Sequence, residues 1–242
     1  MRAACFRPIA ALAVSLVLGA CDDETLRLGD SNSGLDAVSG GSAGTPSCAH
    51  GGVLANEVLW IGDSWVNIPG TQHTRVRDLA RAAGAIGPND DYVDLAASAS
   101  TIAMVATQYD TAEAGSTKVK VLIMDGGTWD TILTGGAATS VTSAVNRFTQ
   151  LLAHIASDGT VEHVVYYLCP ELPTIPGVAA LRPGLQQACA TSAVPCHFID
   201  LQPLWANHPE YTAADGIQAS PAGANVIADA IWATMQDNCV EQ

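Results

Sequence analysis

Positive charge is scarce in this sequence: 10 Lys and Arg stand against 24 Asp and Glu, a formal net charge of −14. Such a surface repels nucleic acid and anionic polymers. No nucleic-acid partner is therefore expected, and a neutral or cationic one is favoured. No two of the 7 cysteines have the CxxC spacing of a zinc site, so no metal is expected, and no motif calls for a cofactor. After the N-terminal segment there is no second long apolar run, which excludes a further membrane-spanning helix as an expectation. No internal repeat is visible, so a solenoid is not expected.

What is present begins with an address. Arg2 and Arg7 precede an apolar run from Ile9 to Leu18, too short to span a bilayer and typical of a secretory signal. The run ends in Leu18-Gly19-Ala20-Cys21. This resembles the lipobox of bacterial lipoproteins, which implies cleavage before Cys21 and its lipidation. Several acyl chains anchor stably where one is marginal, at about 0.8 kcal/mol per buried methylene. The expected organisation is a signal peptide over 1–20, a lipidated flexible tether over 21–54, and one folded domain over 55–242. The lipid is then the membrane attachment, and the protein belongs in a bacterial cell envelope. The tether is acidic, then rich in Gly and Ser, with no periodic apolar pattern.

Cys5 leaves with the signal and Cys21 is modified, so Cys48, Cys169, Cys189, Cys196 and Cys239 remain. Export makes disulfides plausible, and an odd count leaves one thiol free. Cys189 with Cys196, near neighbours, and Cys48 with Cys239, flanking the folded body, are the pairs expected.

Beyond the tether, short apolar runs alternate with helical stretches. Strands are expected over 57–62, 92–96, 118–124, 162–168 and 197–201, and helices over 71–83, 100–109, 141–156, 181–191 and 221–235. Continuous β-branched runs suit strands covered on both faces. The alternation predicts a three-layer α/β/α sandwich with a five-stranded parallel flavodoxin-like sheet, in the order 2-1-3-4-5. Any site then lies at the carboxyl ends of the strands.

Two motifs fall on that edge. Gly62-Asp63-Ser64 ends the first strand, where a serine sits at a strand-to-helix turn beside a helix N-terminus that favours developing negative charge. Asp215-Gly216-Ile217-Gln218-Ala219-Ser220-Pro221 opens the last helix. Together they resemble the SGNH (GDSL) esterase and lipase family, in which the fourth residue of Asp-Gly-Ile-His is the histidine. The resemblance implies a serine ester hydrolase with Ser64 as nucleophile and Asp215 and Gln218 at the other triad positions. It extends to two further blocks. In 94–101, Ala99 stands where a glycine usually supplies an oxyanion N–H. In Asp125-Gly126-Gly127-Thr128-Trp129-Asp130, the pattern Gly-x-Asn-Asp puts Gly127 at an oxyanion N–H and Trp129, or Thr128 after a one-residue shift, in place of the asparagine.

Gln218 is the chemical difficulty. Imidazole can take the serine proton and return it to the leaving alcohol; a carboxamide has no useful basicity. Losing the base of a serine triad costs on the order of 10⁶ in turnover. His208 is the candidate substitute base, in the loop before the last helix, with His73 behind it. His154 lies on a long helix, and His163 and His197 begin strands at the wrong edge. Trp65 and Trp129 either wall the cleft or pack in the core, and the loop from Pro170 to Pro183 is a natural place for substrate contacts. Two readings stay open. One is an esterase acting on a small-molecule, glycan or lipid ester with a rewired base. The other is a non-catalytic pseudo-hydrolase that binds a neutral glycan or ester ligand in the same cleft.

Overall fold

The computed structural model describes residues 52–67, 71–115 and 118–240. Cys21, the tether as far as 51, and Cys48 lie outside the described residues. Five parallel strands, β1 (Val58–Ile61), β2 (Val93–Asp94), β3 (Val121–Met124), β4 (His163–Leu168) and β5 (Cys196–Asp200), form one sheet in the order β2-β1-β3-β4-β5. This is the expected order. The helices are α1 (Ser64–Asn67), α2 (Thr71–Ala83), α3 (Ile102–Glu113), α4 (Thr128–Ile132), α5 (Ala138–Asp158), α6 (Val178–Ala190), α7 (Gln202–Trp205) and α8 (Pro221–Asp237). α2 packs against α8, while α5 packs against α3, α4 and α6, giving a helical layer on each face.

The sequence accounts for these elements simply. Every residue of β1 and β3 is buried, as continuous apolar runs require when helices cover both faces. β2 is shorter than expected because Asp94 accepts the Ala96 N–H on its own side chain and ends the strand. Pairing still continues past it, through Leu95 N–H to the Trp60 carbonyl and Ala97 N–H to the Gly62 carbonyl. α8 starts on Pro221, with the Ser220 hydroxyl accepting the Gly223 N–H at 3.2 Å.

The loop expected from Pro170 to Pro183 is shorter than that, since α6 already begins at Val178, after a left-handed Gly177. Val178, Leu181, Leu185 and Ala188 are buried at helical spacing, and that stripe carries the helix through Pro183. Cys189 and Cys196 form a disulfide, with Cα atoms 5.2 Å apart, tying the end of α6 to the start of β5. Cys169 is free and buried at the end of β4.

Three short helices, α1, α4 and α7, were not expected. All three follow directly on strands β1, β3 and β5 at the carboxyl edge. They are too short to show a period of apolar residues, and α1 and α4 carry Ser64 and Trp129.

Candidate functional site

Ser64 is the first residue of α1, immediately beyond β1, and is 8% exposed. The turn that presents it is clamped from three sides. Asp63 N–H donates to Asp125 Oδ1 at 2.7 Å, and Trp65 N–H donates to Asp63 Oδ1 at 2.8 Å. Gln108, from α3, accepts the Gly62 N–H on Oε1 at 2.7 Å, while its Nε2 donates to the Gly62 carbonyl at 3.1 Å and to Ser100 Oγ at 3.0 Å. Gly62 has φ 143°, and a Cβ there would fall 2.0 Å from Asp125 Oδ1. The close approach of Asp125 therefore requires glycine.

The two segments expected at the oxyanion both hold left-handed backbone. Ala99 sits at φ 63°, the left-handed region that glycine adopts freely, and Gly127 at φ 91°. Among the described residues, the N–H groups of Ser64, Ala99 and Gly127 have no protein acceptor, which leaves them available to a developing negative charge. Thr128 turns inward, its hydroxyl 3.3 Å from the Cys169 thiol. Trp129 is the half-buried side chain of that block at the rim. Trp65, by contrast, is core: it is 1% exposed and packs on Trp205 with ring centroids 5.7 Å apart.

The segment expected to carry the base, 212–219, is built differently. Residues 212 and 219 pair as an isolated antiparallel bridge, and Ala213 N–H donates to the Gln218 carbonyl at 2.8 Å. Asp215 is exposed and spends its Oδ1 on the N–H groups of Ile217 and Gln218, at 2.8 and 2.9 Å. These bonds, Gln218 first, hold its carboxyl below the usual range. It stabilises its own turn and orients no side chain. Gln218 Oε1 is buried without a hydrogen-bond partner among the described residues.

Among the described residues, no hydrogen bond joins His208 or His73 to Ser64, and each has partners of its own. His208 is exposed, 2.8 Å through Nδ1 from Glu210 Oε1, and stacked on Tyr211 at 4.5 Å. Tyr211 in turn packs on Trp205, and Trp205 on Trp65, so two rings separate His208 from the residue beside the serine. Glu210 nevertheless gives this imidazole the carboxylate partner of an oriented base. His73 packs edge-on against Trp60 and Tyr92, with Nε2 3.8 Å from Asp91, ahead of β2. His163 and His197 hydrogen-bond each other at 3.0 Å where β4 and β5 begin, and burial pushes both below the usual imidazole range.

Three residues escaped the sequence reading. Gln108 has no motif around it. Asp125 lay within a quoted block, and parallel pairing of Ile61 with Met124 brings the ends of β1 and β3 side by side, which was the available signal. Glu210 lies two residues from His208, too common a spacing to mean much alone. Among the described residues there is no group of three or more metal-ligating side chains.

No protein-family model matches the chain, and no curated protein sequence matches it. Solved structures do. A family 3 carbohydrate esterase of Clostridium thermocellum superposes with a TM-score of 0.59 at 16% identity, covering 76% of this chain and 98% of that one. A GDSL-like lipase of Parabacteroides merdae gives 0.60 at 15%, covering 78% and 98%. A carbohydrate esterase family 3 protein of Talaromyces cellulolyticus gives 0.61 at 16%, covering 76% and 97%. At these identities the likeness establishes the fold alone, the α/β fold that these carbohydrate esterases and the GDSL-like lipase share with this chain.

Proposed function

We propose that this protein is a slow serine ester hydrolase acting on small esters, with Ser64 as nucleophile and the N–H groups of Ser64, Ala99 and Gly127 receiving the oxyanion. One observation carries this reading. Ala99 holds a left-handed backbone that costs a non-glycine residue about 1–2 kcal/mol, and its N–H has no protein acceptor among the described residues. A backbone kept in that form without serving the fold's own hydrogen bonds supports an external acceptor. A recess lined by Thr101, Asp130, Leu133, Ser143 and Arg147, whose nearest lining residue in the chain is two positions from Ala99, holds about 220 Å³. Drug-sized ligands fill roughly 300–1,000 Å³, so a short acyl group or one sugar ring fits better than a long chain. His208, oriented by Glu210, is the substitute base in this reading, reaching the serine through a loop movement or water.

The second reading, a pseudo-hydrolase that binds a neutral glycan or ester ligand, is favoured by the unpartnered Gln218 Oε1. Its amide suits a ligand hydroxyl better than a proton transfer. Hydrolysis of a short-chain aryl ester by the full chain separates the two. The ester hydrolase predicts slow turnover abolished in Ser64→Ala, lowered at least tenfold in His208→Ala, and raised a hundredfold or more in Gln218→His. Turnover that survives Ser64→Ala removes the hydrolase. Activity confined to Gln218→His identifies a retired one.

We also propose export and lipid anchoring through Cys21. The support is the Leu-Gly-Ala-Cys run after the signal-like segment. Labelled fatty acid should enter the wild-type chain in bacteria and not Cys21→Ser; equal labelling of both rejects the anchor.

A further inference from the structure

Asp63 and Asp125 are 1% and 3% exposed, and their carboxyls face each other beneath the Ser64 turn. Each also accepts a backbone N–H of that turn, Asp125 from Asp63 and Asp63 from Trp65. Two ionised carboxylates cannot share a dry contact without a cation, because their repulsion adds to the cost of desolvating each. Among the described residues no free cation faces the pair: Arg147 of α5 lies across from Asp130 and is engaged by it at 3.4 Å. α4 presents Asp130, β4 presents Tyr166, Tyr167 and Cys169, and β2 presents Asp94. α3 contributes the uncharged Gln108. Arg182 of α6 reaches as far as Cys169, but it is engaged by Glu171 and Asp200.

We propose that Asp63 and Asp125 hold one proton between them, with Asp125 as the acid and Asp63 as the carboxylate, and that this proton keeps the Ser64 turn closed. Removing it sets two like charges against each other at the point where Gly62 leaves no slack, and the turn opens. Burial pushes both carboxyls up, and the facing charge of Asp63 pushes Asp125 further. The inference needs no turnover, so it stands or falls apart from the ester reading.

The sign follows from linkage. Asp125 keeps its proton in the folded chain where the unfolded chain has lost it. Stability from this group is therefore greatest below about pH 4 and declines as pH rises toward the raised folded value. Asn at 125 donates the same bond without a titrating proton. The unfolding constant of wild type should thus rise with pH by up to tenfold per unit more steeply than that of Asp125→Asn. Protection factors of the Asp63 and Trp65 amides should fall together over the same window in wild type alone. Carboxyl carbon shifts of ¹³C-aspartate-labelled wild type give a second measurement, should the variant not fold. One aspartate should still be protonated after the other aspartate carboxyls have titrated. If every aspartate carboxyl has titrated by pH 5, or if Asp125→Asn keeps the wild-type pH slope, no proton is shared. If protection of the two amides ignores pH, the proton is not what closes the turn.

Discussion

The serine turn at 62–65 and the hairpin at 212–219 stand on the same edge of the sheet but are held by opposite means. The turn is fixed by distant residues: Asp125 is 62 positions away from Asp63, and Gln108 is 46 away from Gly62. Its parts are buried, and its side chains have almost no alternative arrangement. The hairpin is fixed mostly by itself, through Asp215 accepting the Ile217 and Gln218 N–H groups and Ala213 donating to the Gln218 carbonyl, with Thr174 on the Gly216 carbonyl and Trp205 Nε1 on the Thr212 hydroxyl among its ties from outside. A turn held by the core cannot change without disturbing the core. A turn held locally can exchange a side chain and keep its shape. Persistence of Gly62-Asp63-Ser64 is therefore weak evidence for catalysis, because the fold needs that turn. The left-handed Ala99 bears on it more directly, because its N–H serves no hydrogen bond among the described residues.

Paired glycine substitutions give the largest expected contrast. Gly62→Ala drives a methyl into Asp125 Oδ1 at 2.0 Å and into Val66 Cγ2 at 2.8 Å, at φ 143°. Steric conflict and backbone strain in one buried place should cost about 4 kcal/mol or leave the chain unfolded. Gly216→Ala, at φ 70°, meets nothing closer than Thr174 Cγ2 at 3.3 Å, so only the left-handed penalty applies, about 1–2 kcal/mol. Urea unfolding of both variants measures the difference. Equal losses would dissolve the distinction between the two turns.

A smaller contrast uses the two glutamines. Gln108→Ala strips a partner from the part-buried Gly62 N–H and carbonyl and should cost about 2–3 kcal/mol. Gln218→Ala removes a side chain whose buried oxygen bonds nothing among the described residues, and should move stability by less than about 0.5 kcal/mol. Smaller again, Ala99→Gly relieves left-handed strain of about 1–2 kcal/mol while adding about 0.5–1 kcal/mol of chain entropy. A net gain of about 0.5 kcal/mol, read as a shift in urea midpoint, is expected. A loss would mean that the methyl packs usefully.

These contrasts also explain what was legible in the sequence. Sheet order and most of the long elements follow from apolar runs and spacing, which are local signals; α2 occupies the range expected for it, 71–83. Ser64 and the 215–218 run were found because their motifs are contiguous. Gln108 and Asp125 act across the fold, and a residue whose role lies 46 or 62 positions away leaves no local pattern. The short helices α1, α4 and α7 were hidden for another reason. At 4, 5 and 4 residues, none completes two turns, so no period can show. Trp65 illustrates the limit from the other side. Beside the serine in sequence, it was as consistent with the cleft wall as with the core, and only its contact with Trp205 decides for the core.

The smallest effect sets Asp215 against the acid pair by the sign of its pH dependence. Asp215 accepts two N–H groups, which lower its pKa in the folded chain. A carboxylate of this kind contributes stability above its unfolded value, near pH 4, and loses it as pH falls through the folded value. Since Asp215 is exposed, solvent screening should hold the contribution to a few tenths of a kcal/mol. Asp215→Asn should therefore lose a slight advantage at neutral pH and match wild type only in strong acid. Asp125→Asn differs from wild type in the opposite direction, through a penalty that wild type acquires as pH rises. Stability profiles of the two variants from pH 3 to pH 9, each subtracted from wild type, should slope in opposite senses. If both difference curves slope the same way, the two carboxylates are not held by opposite physics.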